Sequence, residues 1–439
     1  MNKFLKLISL SLFFIVIFHT NTYSQKLLTI EEAISHALKN TYSIIISRYQ
    51  TDILDNNVAL GNAGFLPDIS ADASYTKSRN DTKQEYFDGR AVDRNNAETK
   101  NLNAAIRLNW TIFDGLRMFA ELNRFKSIRD EGELNFKLQV ENTINEVVNS
   151  YYSIIKEQKT LDVNVKNLKL SKERFDILQT EKQIGTASQF DLLQAVVDLN
   201  GDSSAVLNQQ LKIIQLKNNL LNLLNIDNND FAVSDTFIFN SNLVYEDLLS
   251  AALENNTNIL LAKQSINTSR LDVSVARADW FPTINFNTSY NFAKSEAEAG
   301  LLKSNQSLGF QYGVTASLSL FNGLNTARQI ENANVELKIQ ELNLKDVSQS
   351  VSTELNNAYQ SYVSSLRLID LEKENRKAAE QNVNFALERL HLGTITPIEF
   401  RKVQQDLLAA DNRLYNSMYE TKIAENNLLR LSGQLLKSY

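Results

Sequence analysis

Two carboxylates stand at matching places in this chain of 439 residues: Asp191 lies six residues after Gly185, and Glu399 six after Gly393, in "IGTASQFD" and "LGTITPIE". A carboxylate can act as acid or base, hold a cation or draw cations toward an opening. Each of these also has a structural use. Ser188 with Asp191, and Thr396 with Glu399 behind Pro397, have the spacing of capping boxes at helix starts. One turn beyond Glu399 stands Lys402, and the matching position of the first motif is Gln194. Gly185 and Gly393 suit left-handed turns that reverse the chain and leave Thr186 and Thr394 exposed. No nucleophile, base and orienting group occur together, and no glycine-rich phosphate loop follows a strand pattern, so an enzyme is not expected. His36 and His391 lie far apart without cysteine or clustered acids and read as helix-surface residues. Neither a metal nor a cofactor is expected.

These motifs recur because most of the chain recurs. Residues 28–112 are echoed by 243–320 and residues 113–225 by 321–433, with "AGFLPDI" matching "ADWFPTI" and "TIFDGL" matching "SLFNGL". Pro67 and Pro282 are 215 positions apart, whereas Phe113 and Phe321, Tyr151 and Tyr359, and Gly185 and Gly393 are each 208 apart. The second copy is therefore seven residues shorter between its strands. A repeated unit of this kind needs a neighbour to bury its apolar side.

Residues 1–24 carry Lys3 and Lys6, an apolar run from Leu7 to Phe18, and small polar residues before Gln25, which is the pattern of a signal peptide. The apolar run is shorter than the roughly 20 residues of a spanning helix. An exported chain without cysteine has neither disulfides nor a lipid-modified amino terminus. Net charge is −6, and −8 once Lys3 and Lys6 leave with the leader, so no nucleic-acid partner is expected.

Each copy begins with a helical pattern, opened in the first by Thr29 and Glu32 and running to about Gly64. Pro67 and Pro282 then start extended chain. In "TINFNTSYNF", Ile284, Phe286, Tyr290 and Phe292 alternate with Asn285, Asn287, Ser289 and Asn291; Leu102 to Ile112 and Tyr312 to Leu320 alternate likewise. Two hairpins, at about 68–112 and 283–320, give four strands of roughly ten residues, the length of a tilted membrane strand. The charged segments between the strands read as loops in water. Between Gly115 and Gly185 only Gly132 interrupts, and between Gly323 and Gly393 neither glycine nor proline does. Two very long helices follow, of about 100 Å at a rise of ~1.5 Å per residue. Ile154, Leu161, Leu168 and Phe175 suggest a coiled-coil seam, while the many Asn, Gln, Ser and Lys residues suggest faces wetted by solvent. Return helices over 188–225 and 396–432 make the hairpins antiparallel. The expected organisation is a signal peptide at 1–24, a first repeat at 25–225, a linker at 226–242, a second repeat at 243–433 and a short tail at 434–439.

Four strands cannot close a membrane barrel, because open edges leave amides and carbonyls unpaired in hydrocarbon. Three copies would supply twelve strands and a lumen lined by Asn, Ser, Thr and Arg. The duplicated order of helix, proline, strand pair, "F(D/N)G", long helix, "(I/L)GT" and return helix resembles the TolC family of outer-membrane efflux proteins over essentially the whole mature sequence. That resemblance implies a mixed α and β membrane protein, internally duplicated. Its very long antiparallel helices would form an α-barrel, and its four strands would join a twelve-stranded β-barrel in a homotrimer. It further implies a place in the outer membrane of a Gram-negative bacterium, the lipid around the strands and the helices in the periplasm. Gly185, Thr186, Gly393 and Thr394 would mark the periplasmic tip, where an adaptor (membrane fusion) protein docks. Asp191, Glu399 and Lys402 would be entrance charges, and an inner-membrane transporter would supply the energy. The function implied is passive exit of small molecules; type I protein secretion is the alternative, and a soluble periplasmic coiled-coil adaptor or structural protein a more distant one.

Overall fold

The computed structural model describes residues 26–226, 231–234, 236–240 and 242–439; the expected leader and parts of the 226–242 connection lie outside the described residues. The first copy gives β1 (Lys26–Leu28), α1 (Ile30–Asn40), α2 (Tyr42–Asn56), β2 (Asp68–Glu85), β3 (Ala91–Asp114), α3 (Arg117–Gln183) and α4 (Gln189–Leu224). After β4 (Phe231–Val233), the second copy gives α5 (Tyr245–Asn255), α6 (Thr257–Ala278), β5 (Thr283–Ala297), β6 (Ser304–Ser317), α7 (Asn325–His391) and α8 (Pro397–Leu431), before α9 (Leu435–Ser438). The chain is a mixed α and β protein whose longest helices, α3 and α7, have 67 residues each.

One compact unit comprises the described residues up to Ile45 with Val140–Ala251 and Glu354–Tyr439. Its core gathers Ala33, Ile34 and Ala37 of α1, Ile144 to Ile155 of α3, Leu220 and Leu224 of α4, and Phe231 and Val233 of β4. β1 pairs in parallel with β4. The Tyr151 hydroxyl pins both, donating to the Leu28 carbonyl at 2.9 Å and accepting the Ser234 amide at 3.1 Å. α3 and α4 run antiparallel, since Glu157 meets Gln209 and Ser171 meets Asp202. Arg376 with Asp411 and Glu372 with Arg413 place α7 and α8 the same way.

The expectation of wetted polar faces needs correction here. Asn167, Ser171, Arg174, Asp202, Gln209 and Gln404 are buried. Burial is tolerated because most of their polar atoms are paired: Gln404 donates to Asn167 at 2.9 Å and to Ser171 at 2.7 Å, and Gln209 donates to Glu157 at 2.6 Å, while Gln404 Oε1 and Arg174 Nε have no partner among the described residues. The buried seam of α3 near its end is Val163, Asn167, Ser171, Arg174 and Leu178, whereas Val165 is exposed.

The other unit comprises Ile46–Gln139 and Ala252–Thr353 and holds an antiparallel sheet in the order β2-β3-β5-β6. The strands have 18, 24, 15 and 14 residues, longer than expected. Much of the charged segment read as loop is strand: Ser78 to Glu85 pair with Ala91 to Thr99, helped by Arg79–Glu98 and Lys83–Asp93 ion pairs.

The opening helix of each copy is two helices. Thr41 turns extended (φ −66°, ψ 129°) and donates its hydroxyl to the Leu223 carbonyl at 2.7 Å; Asn256 accepts the amides of Asn258 and Ile259 as a new cap. α2 then ends at Asn56, eleven residues before Pro67, and turns fill the interval.

Candidate functional site

Two surfaces could serve a duct. The first is at the helix reversals. Gly185 (φ 84°) donates to the Lys182 carbonyl and Thr186 to that of Glu181, while Gly393 (φ 66°) donates to Leu390 and Thr394 to Arg389. Both are Schellman turns, in which a left-handed residue satisfies the last helical carbonyls. Thr186 and Thr394 are exposed, but their hydroxyls bond back to Glu181 at 3.0 Å and Arg389 at 3.1 Å. Apolar side chains flank the turns openly, including Ile184, Phe190, Leu392 and Ile398.

The two acids differ in detail. The Glu399 carboxylate accepts the Thr396 amide at 2.7 Å while the Thr396 hydroxyl accepts the Glu399 amide at 3.2 Å, a complete box. Those bonds from the Thr396 backbone and then its hydroxyl hold the Glu399 pKa below its ordinary value. Asp191, one methylene shorter, accepts the Ser188 hydroxyl at 2.5 Å, and its own amide donates to that hydroxyl at 3.1 Å. Asp191 lines a cavity of about 320 Å³ between the two turns with Phe190, Gln194, Pro397 and Ile398; Glu399 does not reach it. Lys402 bonds Asp406 at 2.7 Å and not Glu399.

Beneath that cavity lies a charged network missing from the sequence reading. Arg401 of α8 grips Asp202 of α4 with two bonds, at 2.7 and 3.1 Å, and reaches Ser171 of α3. Arg174, almost wholly buried, pairs with Asp198 at 2.5 Å. Counting apolar residues could not reveal it; the helical spacing of Asn167, Ser171 and Arg174 was the available signal. Among the described residues no group of His, Asp and Glu comes together to hold a metal.

The second surface is the sheet. Its register sets Ile69, Leu108, Thr288 and Tyr312 side by side, then Ala71, Ile106, Tyr290 and Phe310, then Ala73, Ala104, Phe292 and Leu308. On β6 this face is open: Leu308, Phe310, Tyr312 and Val314 are 60–72% exposed. The aromatic residues Trp110, Tyr290, Phe292 and Tyr312, candidates for interfacial belts, stand in several rows rather than two. The opposite face carries Ser70, Arg107, Ser289 and Gln311 in one row and Asn109, Asn287 and Gly313 in another. Its ionised pair is Arg107 with Asp72. Among the described residues β2 and β6 have no partner on their outer sides. No described helix is long and apolar enough to cross a membrane.

The "F(D/N)G" motif turns strand into helix in this unit. Gly115 and Leu116, and again Gly323 and Leu324, are left-handed in succession. Asp114 and Asn322 cap the following helices by accepting the amides of Met118 and Thr326. At Gly115 a Cβ would lie 2.5 Å from the Ala278 carbonyl oxygen, so only glycine fits.

The chain resembles known proteins over nearly all its length. It is 20% identical over 414 residues to the outer membrane efflux protein BepC of Brucella suis, covering 93% of this chain and 86% of that one. It is also 20% identical over 421 residues to the outer membrane protein TolC of Vibrio cholerae, covering 92% and 90%. Among solved structures, the Campylobacter jejuni CmeC outer membrane channel superposes with a TM-score of 0.78 at 15% identity, over 92% of this chain and 86% of that one. The outer membrane protein VceC of Vibrio cholerae gives 0.74 at 15% identity, over 92% and 96%. The outer membrane efflux protein model matches residues 33–225 and 248–434, the two copies with their long helical hairpins and strand pairs, and the chain belongs to that family of channel proteins.

Proposed function

We propose that this protein is the exit duct of a tripartite efflux pump, passing small molecules outward through the outer membrane of a Gram-negative bacterium. One observation carries the proposal: a four-stranded sheet has one exposed apolar face, one polar face and two edges that no described strand pairs. Edges of that kind are costly in lipid unless they meet other strands. Three copies close twelve strands, an even number suited to an outer-membrane barrel, around a lumen rich in amides and hydroxyls. The helical hairpins stand in the periplasm. Their turns at Gly185 and Gly393, with Thr186 and Thr394, form the tip on which a periplasmic adaptor docks, and an inner-membrane transporter supplies the work. Asp191 and Glu399 stand at the entrance; Lys402 is balanced by Asp406 and leaves their charge largely uncancelled. The efflux description of the BepC relative supports this reading over protein secretion.

The test is assembly with conduction. Native mass spectrometry of the detergent-extracted protein should give three chains, and that species should form ion-conducting pores in planar bilayers. A monomer lodged stably in the bilayer would overturn the proposal.

A further inference from the structure

The open face of the sheet changes character within one row. Tyr75, Leu102, Lys294 and Gln306 are cross-strand neighbours, and the next row outward on the same face is Lys77, Lys100, Glu296 and Ser304, followed by Arg79 opposite Glu98. Along β3 the apolar positions run from Ile112 to Leu102, about 33 Å at ~3.3 Å per residue. A strand tilted by ~40° converts this to about 25 Å, the height of the apolar band on a membrane barrel. The cations therefore begin where hydrocarbon ends and headgroups begin, at the hairpin end of the sheet.

These cations are only partly neutralised. Lys77, Arg79 and Lys100 all converge on the single carboxylate of Glu98, at 2.9, 2.9 and 3.2 Å. Lys294 has Glu296 at 2.7 Å. Lys303 lines a cavity of about 310 Å³ with Glu98, Lys100, Glu296 and Glu298. Within the rows of this face four cations, Lys77, Arg79, Lys100 and Lys294, thus meet two carboxylates, Glu98 and Glu296, and the surplus lies on the apolar side of the sheet. Arg79 holds Glu98 through both Nε and Nη2, at 3.0 and 2.9 Å, and this planar fork is equally suited to phosphate oxygens.

Resting on the duct reading, we propose that this row binds the phosphate groups of an outer-leaflet lipid. Lys77, Arg79 and Lys100 hold the phosphates while the lipid's acyl chains lie along the apolar rows of Leu102, Phe292 and Leu308. Glu98 keeps the three cations splayed in place when no lipid is present and competes with phosphate for them.

The probe is lipid A, titrated onto the detergent-extracted full-length protein and read by native mass spectrometry. The triple variant Lys77→Gln, Arg79→Gln, Lys100→Gln should bind lipid A at least about tenfold more weakly than the parent, given three charges lost near an anionic surface. Glu98→Gln should bind it more tightly. Phosphate-free lipid A should bind parent and variants alike. Equal lipid A binding by parent and triple variant would overturn the site, as would displacement of lipid A by millimolar inorganic phosphate, which would mean that the acyl chains contribute nothing. Pore conductance separates the two readings. Unchanged conductance with equal lipid binding removes the lipid site and leaves the duct, whereas a parent protein that never inserts removes both.

Discussion

At the scale of single residues, charge is handled in two opposite ways. Arg401 and Asp202 are largely shielded and joined by two short bonds, so each exists at the other's sufferance. Arg401→Ala would leave the Asp202 carboxylate with the Ser171 hydroxyl as its remaining short contact, and should lower stability by roughly 3 kcal/mol, the cost of an uncompensated buried charge. Replacing both at once, as Arg401→Met with Asp202→Leu, should recover most of that loss in denaturant unfolding of the isolated protein; an equally unstable double variant would show that packing, and not charge, is what Arg401 supplies. Arg107 and Asp72 are instead half-exposed on the polar face of the sheet. In the proposed trimer, with that face lining the pore, each ring of three arginines would be neutralised by three aspartates. Asp72→Asn should therefore shift the reversal potential of single pores toward anion preference, and Arg107→Gln toward cation preference. Pores indifferent to both changes would place this pair outside the conducting path.

At the scale of elements, the start of α8 has a pH response that can be worked out. The folded Glu399 carboxylate is stabilised by Thr396 and so protonates less readily than in the unfolded chain. Its contribution to the cap is complete above the ordinary glutamate value of 4.5 and is lost as pH falls from there through the lower folded value. Protection of the Phe400 and Arg401 amides, measured against their intrinsic exchange rates, should hold from pH 7 to pH 5 and fall as pH drops below 4.5 in the parent, and change less in Glu399→Gln; an identical response in both would mean that the carboxylate does not cap. Thr396→Ala should cost about 1 kcal/mol at the same helix end. The repeat made the glycine turns, the strand starts and the long helices legible, because glycine, proline and strict alternation are strong local signals. The breaks at Thr41 and Asn256 were silent, being neither glycine nor proline, although they too are 215 positions apart. The hairpin beyond Asn80 was hidden for a different reason. Its strands are held by cross-strand pairs such as Lys83–Asp93 and carry no apolar stripe. The buried polar seam escaped because hydrophobic periodicity counts only apolar residues, whereas Asn167, Ser171 and Arg174 are inside by virtue of their partners.

At the scale of the whole molecule, the question is what the two faces of the sheet meet. A sheet in water would need to cover Leu308, Phe310, Tyr312 and Val314, which this chain leaves open. A membrane wall presents them to acyl chains and turns its amides and hydroxyls to a lumen. Neighbouring positions on β6 separate the cases, because Phe310 and Gln311 point to opposite sides of the strand. Phe310→Arg places a charge near the middle of the apolar band, where it should cost about 2–4 kcal/mol per chain and three times over in a trimer. Gln311→Arg adds the same charge to the wet side. Outer-membrane fractions should therefore contain little Phe310→Arg trimer, while Gln311→Arg trimers should assemble at parental levels and conduct with a raised anion preference. If both variants assembled equally well, the face now assigned to lipid would be meeting protein or water, and closure by three identical subunits would lose its physical basis.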